Sequence, residues 1–422
     1  GVDASGTKGA AEKAALLREG ELVAVSQKAQ LGNPDATVSL DELQGKELLS
    51  VHADGLVGVL NGDSSRFEAR FWEILAIGDV WEFEQSTVEE RQDFGGRHKV
   101  ILWEKGRGQL RAFAEEAKER LHDADRRGNA AWGKWAVAVT QMNRLPVSLY
   151  NGDKFDTNTA VILPKRPENL PAIWAFCSSD EYSQRVRAIS QKLNVTNATL
   201  VKVPFDLAHW QQVAAERYPN GLPKPYSDDL TQWLFHGHPQ PATDPLQVAV
   251  ARLLGYRWPA ETDADMELAD EAREWIAHTD KLAAHADDDG IVCLPAVRGE
   301  KPAFERLLAL LIDAWETVTP GSWKASTLDC LLAEADCAGK SLEVWLREKF
   351  FEQHAKRFHH RPFIWHVWDG LKDGFGALVN YHKLDARNLE RLIHTYLGDW
   401  IRIQEAGVAS GLDGAPQRLA AA

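Results

Sequence analysis

The chain is 422 residues long, 44% hydrophobic and 26% charged, enough for two or three domains with sizeable cores. It has no run of eighteen apolar residues, so no span of a bilayer is expected, and its first residues lack the charged-then-apolar pattern of a signal peptide. A net charge of −14, taken alone, argues against a nucleic-acid binder.

The distribution of charge softens that argument. Residues 97–144 hold eleven Lys/Arg against six Asp/Glu, whereas residues 258–290 hold two against eleven. The acid is thus concentrated in one segment, which leaves room for a basic face elsewhere. The methionines are Met142 and Met266, and the chain starts at Gly1. It is therefore expected to be the later part of a longer polypeptide. Cys177, Cys293, Cys330 and Cys337 form no C-x-x-C pair and read as free thiols of a cytoplasmic protein.

In chain order, residues 1–50 read as a connector, with a turn at residues 32–35 and a Ser-x-x-Glu capping box at residues 39–42. Asn33-Pro34 is followed by Asp35 and Ala36, so it lacks the second proline and the aromatic ring of a base-gripping methylase loop. Residues 52–104 turn to β, with strands expected over 67–77, 80–83 and 99–103. A charged helix over 110–121 and strands over 135–142 and 157–163 follow. Residues 167–176, 180–193 and 206–218 read as helices, with a β-branched strand over 195–203 between the last two. A short helical segment at 228–235 marks a boundary. Beyond it the chain reads as helices over 245–256, 263–285, 301–317, 326–338, 342–358 and 384–404, interrupted by one β-hairpin over 363–381. Its two Asp-Gly pairs make the turn of that hairpin. Residues 407–422 read as a disordered tail.

Four clusters could carry chemistry. Gly55, Gly58 and Gly62 allow a close backbone approach, and Arg66 could meet a phosphate or a guanine edge; a plain glycine-rich turn explains the same residues. Lys134, Gln141, Arg144 and Lys154 are of the types that read base edges, in what is equally a polar loop between strands. Lys192, Asn194, Thr196, Asn197 and Lys202 form a run of donors and acceptors suited to phosphate contact, or to capping and turns. His359, His360, His366 and His382, with Asp369 and Asp373, read as core histidines and turn aspartates rather than metal ligands.

The succession GDSSRF, FGGRHKVILWEKG, AWGKWAVAVTQM, FDTNTAVILPK, QKLNVTNATLVKVPFD, PYSDDLTQWLFHGHP and RPFIWHVWDG…GFGALVNYHKL resembles the C-terminal half of large adenine-specific DNA methyltransferases. These are single-chain enzymes of bacterial restriction and phage-defence systems, of the Eco57I-type and of the BREX and DISARM type. The resemblance spans residues 20–405 and implies a target-recognition domain followed by a helical C-terminal region. It implies no catalytic residue and no cofactor in this chain. S-adenosylmethionine would be bound by a catalytic half, in the same or a separate chain, whose glycine-rich motif and Asn-Pro-Pro-Tyr loop do not occur here.

The expected fold is therefore α+β: a connector over 1–50, a mixed α/β target-recognition domain over 51–240 and a mostly α-helical domain with a short β-hairpin over 241–406. The expected function is sequence-specific recognition of double-stranded DNA within an adenine-N6 methyltransferase, with other defence-system subunits as further partners and no membrane. The DNA-contacting residues would be Arg66, Lys134, Gln141, Arg144, Lys154, Lys192, Asn194, Thr196, Asn197 and Lys202. A protein-interaction scaffold, docking through the acidic segment and the aromatic hairpin, is the alternative.

Overall fold

The computed structural model describes Val2, Ala4, residues 9–33, Ala36 and residues 47–422. Pro34 and Asp35 of the expected turn, and the expected capping box at 39–42, lie outside the described residues. The chain is α+β, with three small sheets among the described residues and a helical C-terminal region. It divides into two units. One comprises Gly1–Glu68 and Gly78–Pro223, the other Ala69–Ile77 and Lys224–Ala422. The division falls before the boundary at 240 expected from the sequence.

The first unit is built on an antiparallel sheet of β1 (Ala53–Val57), β4 (Ala136–Thr140), β5 (Val147–Tyr150) and β7 (Thr159–Pro164), in the order β1-β7-β4-β5. Val137 stands opposite Leu149 on one side and Ile162 on the other, and all three are fully buried. Every residue of β4 is buried, so it reads as a continuous apolar run rather than an alternating one. Helix α2 (Leu170–Cys177) is apolar all round, as a helix packed on both sides must be; it lies between β4 and helix α5 (Leu207–Arg217). Asp206 starts α5 by accepting the His209 N–H at 3.1 Å. A second small sheet pairs β2 (Trp81–Gln85) antiparallel with β3 (Lys99–Leu102) and parallel with β6 (Lys154–Phe155). Lys99 ties it together through Glu68 at 2.9 Å and Asp156 at 3.0 Å.

In the second unit the expected hairpin is present as β9 (Ile364–Trp368) and β10 (Gly376–Asn380). A third strand, β8 (Ile291–Cys293), pairs on the far side of β10. Phe375, Ala377 and Val379 pack with Leu392, Tyr396 and Trp400 in one core. The helical segment over them widens to a π-helix at Arg391–Leu397.

Several expected elements differ. Residues 195–203 form a short helix, α4 (Asn197–Leu200), because Thr196 accepts the Thr199 N–H and the local cap outweighs β-branching. Residues 67–77 hold only a short strand, Glu68–Arg70, and a turn, Phe71–Glu73. Residues 228–235 are a chain of turns held by Ser227 and Asp229 side chains. The tail expected to be disordered is ordered: the helix Gly398–Ser410 turns through left-handed Gly411 and Gly414 into a last helix, Ala415–Ala421, and Ala415 is buried.

Candidate nucleic-acid interface

Two segments meet at one end of the first sheet. The turn after β4 runs through Gln141, Asn143 and Arg144, with Asn143 and Leu145 in left-handed conformation. The loop after α3 (Asp180–Ile189) runs through Lys192 and Asn194 to the Thr196 cap of α4. Gln141 joins them twice: its Nε2 donates to Val195 O at 2.9 Å, and its own carbonyl accepts the Val195 N–H at 2.9 Å. Arg187, in the last turn of α3, closes the pair. Its guanidinium donates to Asn143 O at 2.6 Å and to Lys192 O.

This junction places Arg144, Lys192, Asn194 and Thr196 on one exposed edge. The side chains of Arg144, Lys192 and Asn194 have no hydrogen-bond or ion-pair partner among the described residues. Residues 141–150 and 182–205 contain no Asp or Glu, while the second run carries Arg185, Arg187, Lys192 and Lys202. Partial burial lowers the pKa of Arg187 from its ordinary value. The loop whose Val88 N–H donates to Thr140 Oγ1 at 3.0 Å, at the end of β4, continues through exposed Glu89 and Glu90.

The remaining expected contacts fall elsewhere. Gln141 itself is buried, with its amide committed to Val195, so it does not face an external base edge. Lys154 is enclosed: it pairs with Glu82 at 2.8 Å and lies 4.1 Å from the Trp132 ring centroid and 4.9 Å from that of Trp103. Burial pushes its neighbour Asp153 up to about 6, against the pull of Arg97 and Lys154. Asn197 donates to Gly55 O at 2.6 Å, and Lys202 is half-buried. Lys134 is exposed just before β4, at the strand end opposite Arg144. Arg66 is exposed on a third patch, over the Phe67 ring and 3.4 Å from Gln109 Oε1.

The glycines of the first cluster serve the chain's own packing. A Cβ on Gly55 would stand 2.3 Å from Asn197 O, and one on Gly58 would stand 2.1 Å from Phe155 O. The acidic segment is also partly spent internally. Glu261 pairs with Arg252, Asp287 with Arg306 at 2.9 Å and Asp289 with Arg391 at 2.8 Å. Of the hairpin histidines, His366 stacks on Trp368 and His382 contacts Trp72 O at 2.8 Å. Arg187 is absent from the residues that the sequence singles out; the available signal was a cation in the last turn of a helix next to a polar loop.

No protein-family model matches the sequence, and no curated protein matches it significantly. Among the described residues no helix is long and apolar enough to cross a membrane.

Proposed function

We propose that the first unit binds double-stranded DNA through the edge formed by Arg144, Lys192, Asn194 and Thr196. The reading extends to a recognition role within an adenine-N6 DNA methyltransferase whose S-adenosylmethionine-binding half lies outside these residues. The observation that carries it is the junction of two acid-free segments in a chain of net charge −14. The fold gathers unpaired cations there, held in place by Arg187 bonds to backbone rather than to carboxylates. Lysine and arginine on such an edge neutralise phosphates and set register, while the Asn194 amide supplies a neutral donor and acceptor beside the Thr196 cap. An adenine N6 inside a duplex is out of reach of any methyl donor, so the base must leave the stack, and a recognition edge holds the duplex while it does.

The test is duplex binding, followed by fluorescence anisotropy across a salt series. The wild-type chain is expected to weaken steeply with salt through counterion release. Arg144→Ala combined with Lys192→Ala is expected to weaken all sequences about equally and to flatten the log–log salt slope by about 2. Binding that ignores salt, or a double variant that binds like the wild type, would remove this edge from the interface.

A second reading has its own observation. In the second unit Trp365, Val367 and Trp368 of β9 are exposed, and with Leu389 and Ile393 they line an apolar groove of about 400 Å³. An exposed apolar patch of this kind supports protein docking, the scaffold alternative. It occupies the other unit and would carry a partner subunit whether or not the first unit takes DNA.

A further inference from the structure

The first unit contains a second polar feature, apart from the Arg144 edge: a cavity of about 390 Å³ lined by Arg91, Asp93, Trp174, Ser178, Arg217 and Tyr218. Three elements build it. Trp174 and Ser178 close the C-terminal end of α2, Arg217 and Tyr218 end α5, and Arg91 and Asp93 lie on the loop along β5. That loop is fixed to the edge strand by Gln92 N–H to Val147 O at 3.3 Å and by Leu149 N–H to Asp93 O at 2.9 Å.

The ordinary reading of the two arginines is that each serves a helix C-terminus. It accounts for only part of the arrangement. Arg91 donates one N–H to Ser178 O at 2.6 Å, which orients the guanidinium and leaves its remaining donors uncommitted. Arg217 is exposed and has no hydrogen-bond or ion-pair partner among the described residues. Asp93 is the cavity's carboxylate, and among the described residues no ion pair joins it to either arginine. Trp174 is 1% exposed, and its Nε1 is buried without a hydrogen-bond partner. A buried N–H without a partner is destabilising, so an acceptor reaching it from the cavity would be stabilised there.

We propose that this cavity binds a phosphate group. Two guanidiniums match a tetrahedral oxyanion with paired N–H donors. The Tyr218 hydroxyl adds a donor, and Asp93 accepts from the P–OH of a monoprotonated phosphate. Burial raises the pKa of Asp93 against the opposing effect of Arg91. The phosphate has two possible sources, the DNA backbone or a free phosphate ester, and the chemistry is the same for both. The site does not depend on the DNA reading.

The experiment is calorimetric titration of the full chain with inorganic phosphate, at ionic strength held constant with chloride. Saturable binding is expected, weakened at least tenfold by Arg217→Gln. That residue is exposed, so the fold should survive, and circular dichroism checks it. Arg91→Gln should abolish binding, but it also removes the bond to Ser178 O, so Arg217→Gln is the deciding variant. No saturable heat with the wild type, or unchanged binding in Arg217→Gln, overturns the proposal. A short duplex added in competition then identifies the source. Displacement of phosphate by the duplex assigns the site to backbone phosphate. Duplex binding elsewhere without displacement, with phenyl phosphate competing, assigns it to a free ester and leaves the Arg144 edge to be judged on its own salt series.

Discussion

Arg187 and Gln141 divide between them the work of holding two loops in register. Arg187 spends its guanidinium on two backbone carbonyls, and Gln141 spends its side chain and its main chain on Val195. Both act on the candidate edge by positioning it, since the groups left facing outward are those of Arg144, Lys192 and Asn194. The distinction has a measurable consequence. Gln141→Ala leaves Val195 O without its donor inside the fold, a loss of about 1–2 kcal/mol. The expected outcome is a lowered denaturation midpoint, with base preference in a randomised-duplex selection unchanged. A shifted preference at unchanged stability would instead mean that Gln141 reads bases directly. From the sequence a Gln beside Asn and Arg looks like a base reader, because residue type carries no information on which way a side chain turns.

Among the elements, the hairpin is the most legible in the sequence and the segment beside it the least. Aromatic and β-branched residues on both arms and an Asp-Gly turn specify β9 and β10 locally. The third strand, β8, is three residues long and pairs with a strand more than eighty residues away, so no local pattern announces it. The segment around Trp72 reads as a strand of the recognition domain, yet Ala69–Ile77 belongs to the second unit. Trp72 is fully buried there, donating from Nε1 to Arg361 O at 3.0 Å and lying edge-on to Phe358 at 5.1 Å. Arg361 reaches Glu73 at 2.9 Å, and Tyr381 bonds Glu73 O. The alternating aromatics point to the right burial but the wrong partner, since an indole fits a hairpin flank as readily as a sheet. Trp72→Ala should therefore cost about 3–5 kcal/mol through cavity formation and the lost bond. Amide exchange should accelerate in β9 and β10 and stay slow in β4. Equal acceleration in β4 would mean the segment supports the first unit instead.

At the scale of the whole chain, the acidic balance and the buried histidines act on different properties. Net charge governs which surface a polyanion can approach; buried titratable groups govern how stability changes with pH. His236, His238 and His354 are all fully buried in the second unit, and burial lowers each to about 3. Each also uses a ring nitrogen to accept a backbone N–H: His236 Nδ1 from His238 at 3.0 Å, His238 Nδ1 from Gln240 at 3.2 Å and His354 Nε2 from Ile364 at 3.2 Å. Protonation would place a charge in the core and remove that acceptor. In the unfolded chain the same imidazoles titrate near 6.5. Between about 6.5 and 3 the unfolded state therefore binds more protons than the folded one, so stability is full above that window and falls as the pH drops through it. Each histidine contributes a slope of roughly 1.4 kcal/mol per pH unit well inside the window. The expected result is a urea midpoint for the second unit, followed by amide exchange in β10, that falls between pH 7 and pH 5. In His354→Gln the decline should be shallower, because one of the three protons no longer counts. A midpoint that stays level over that range would mean these imidazoles are not held neutral by the fold.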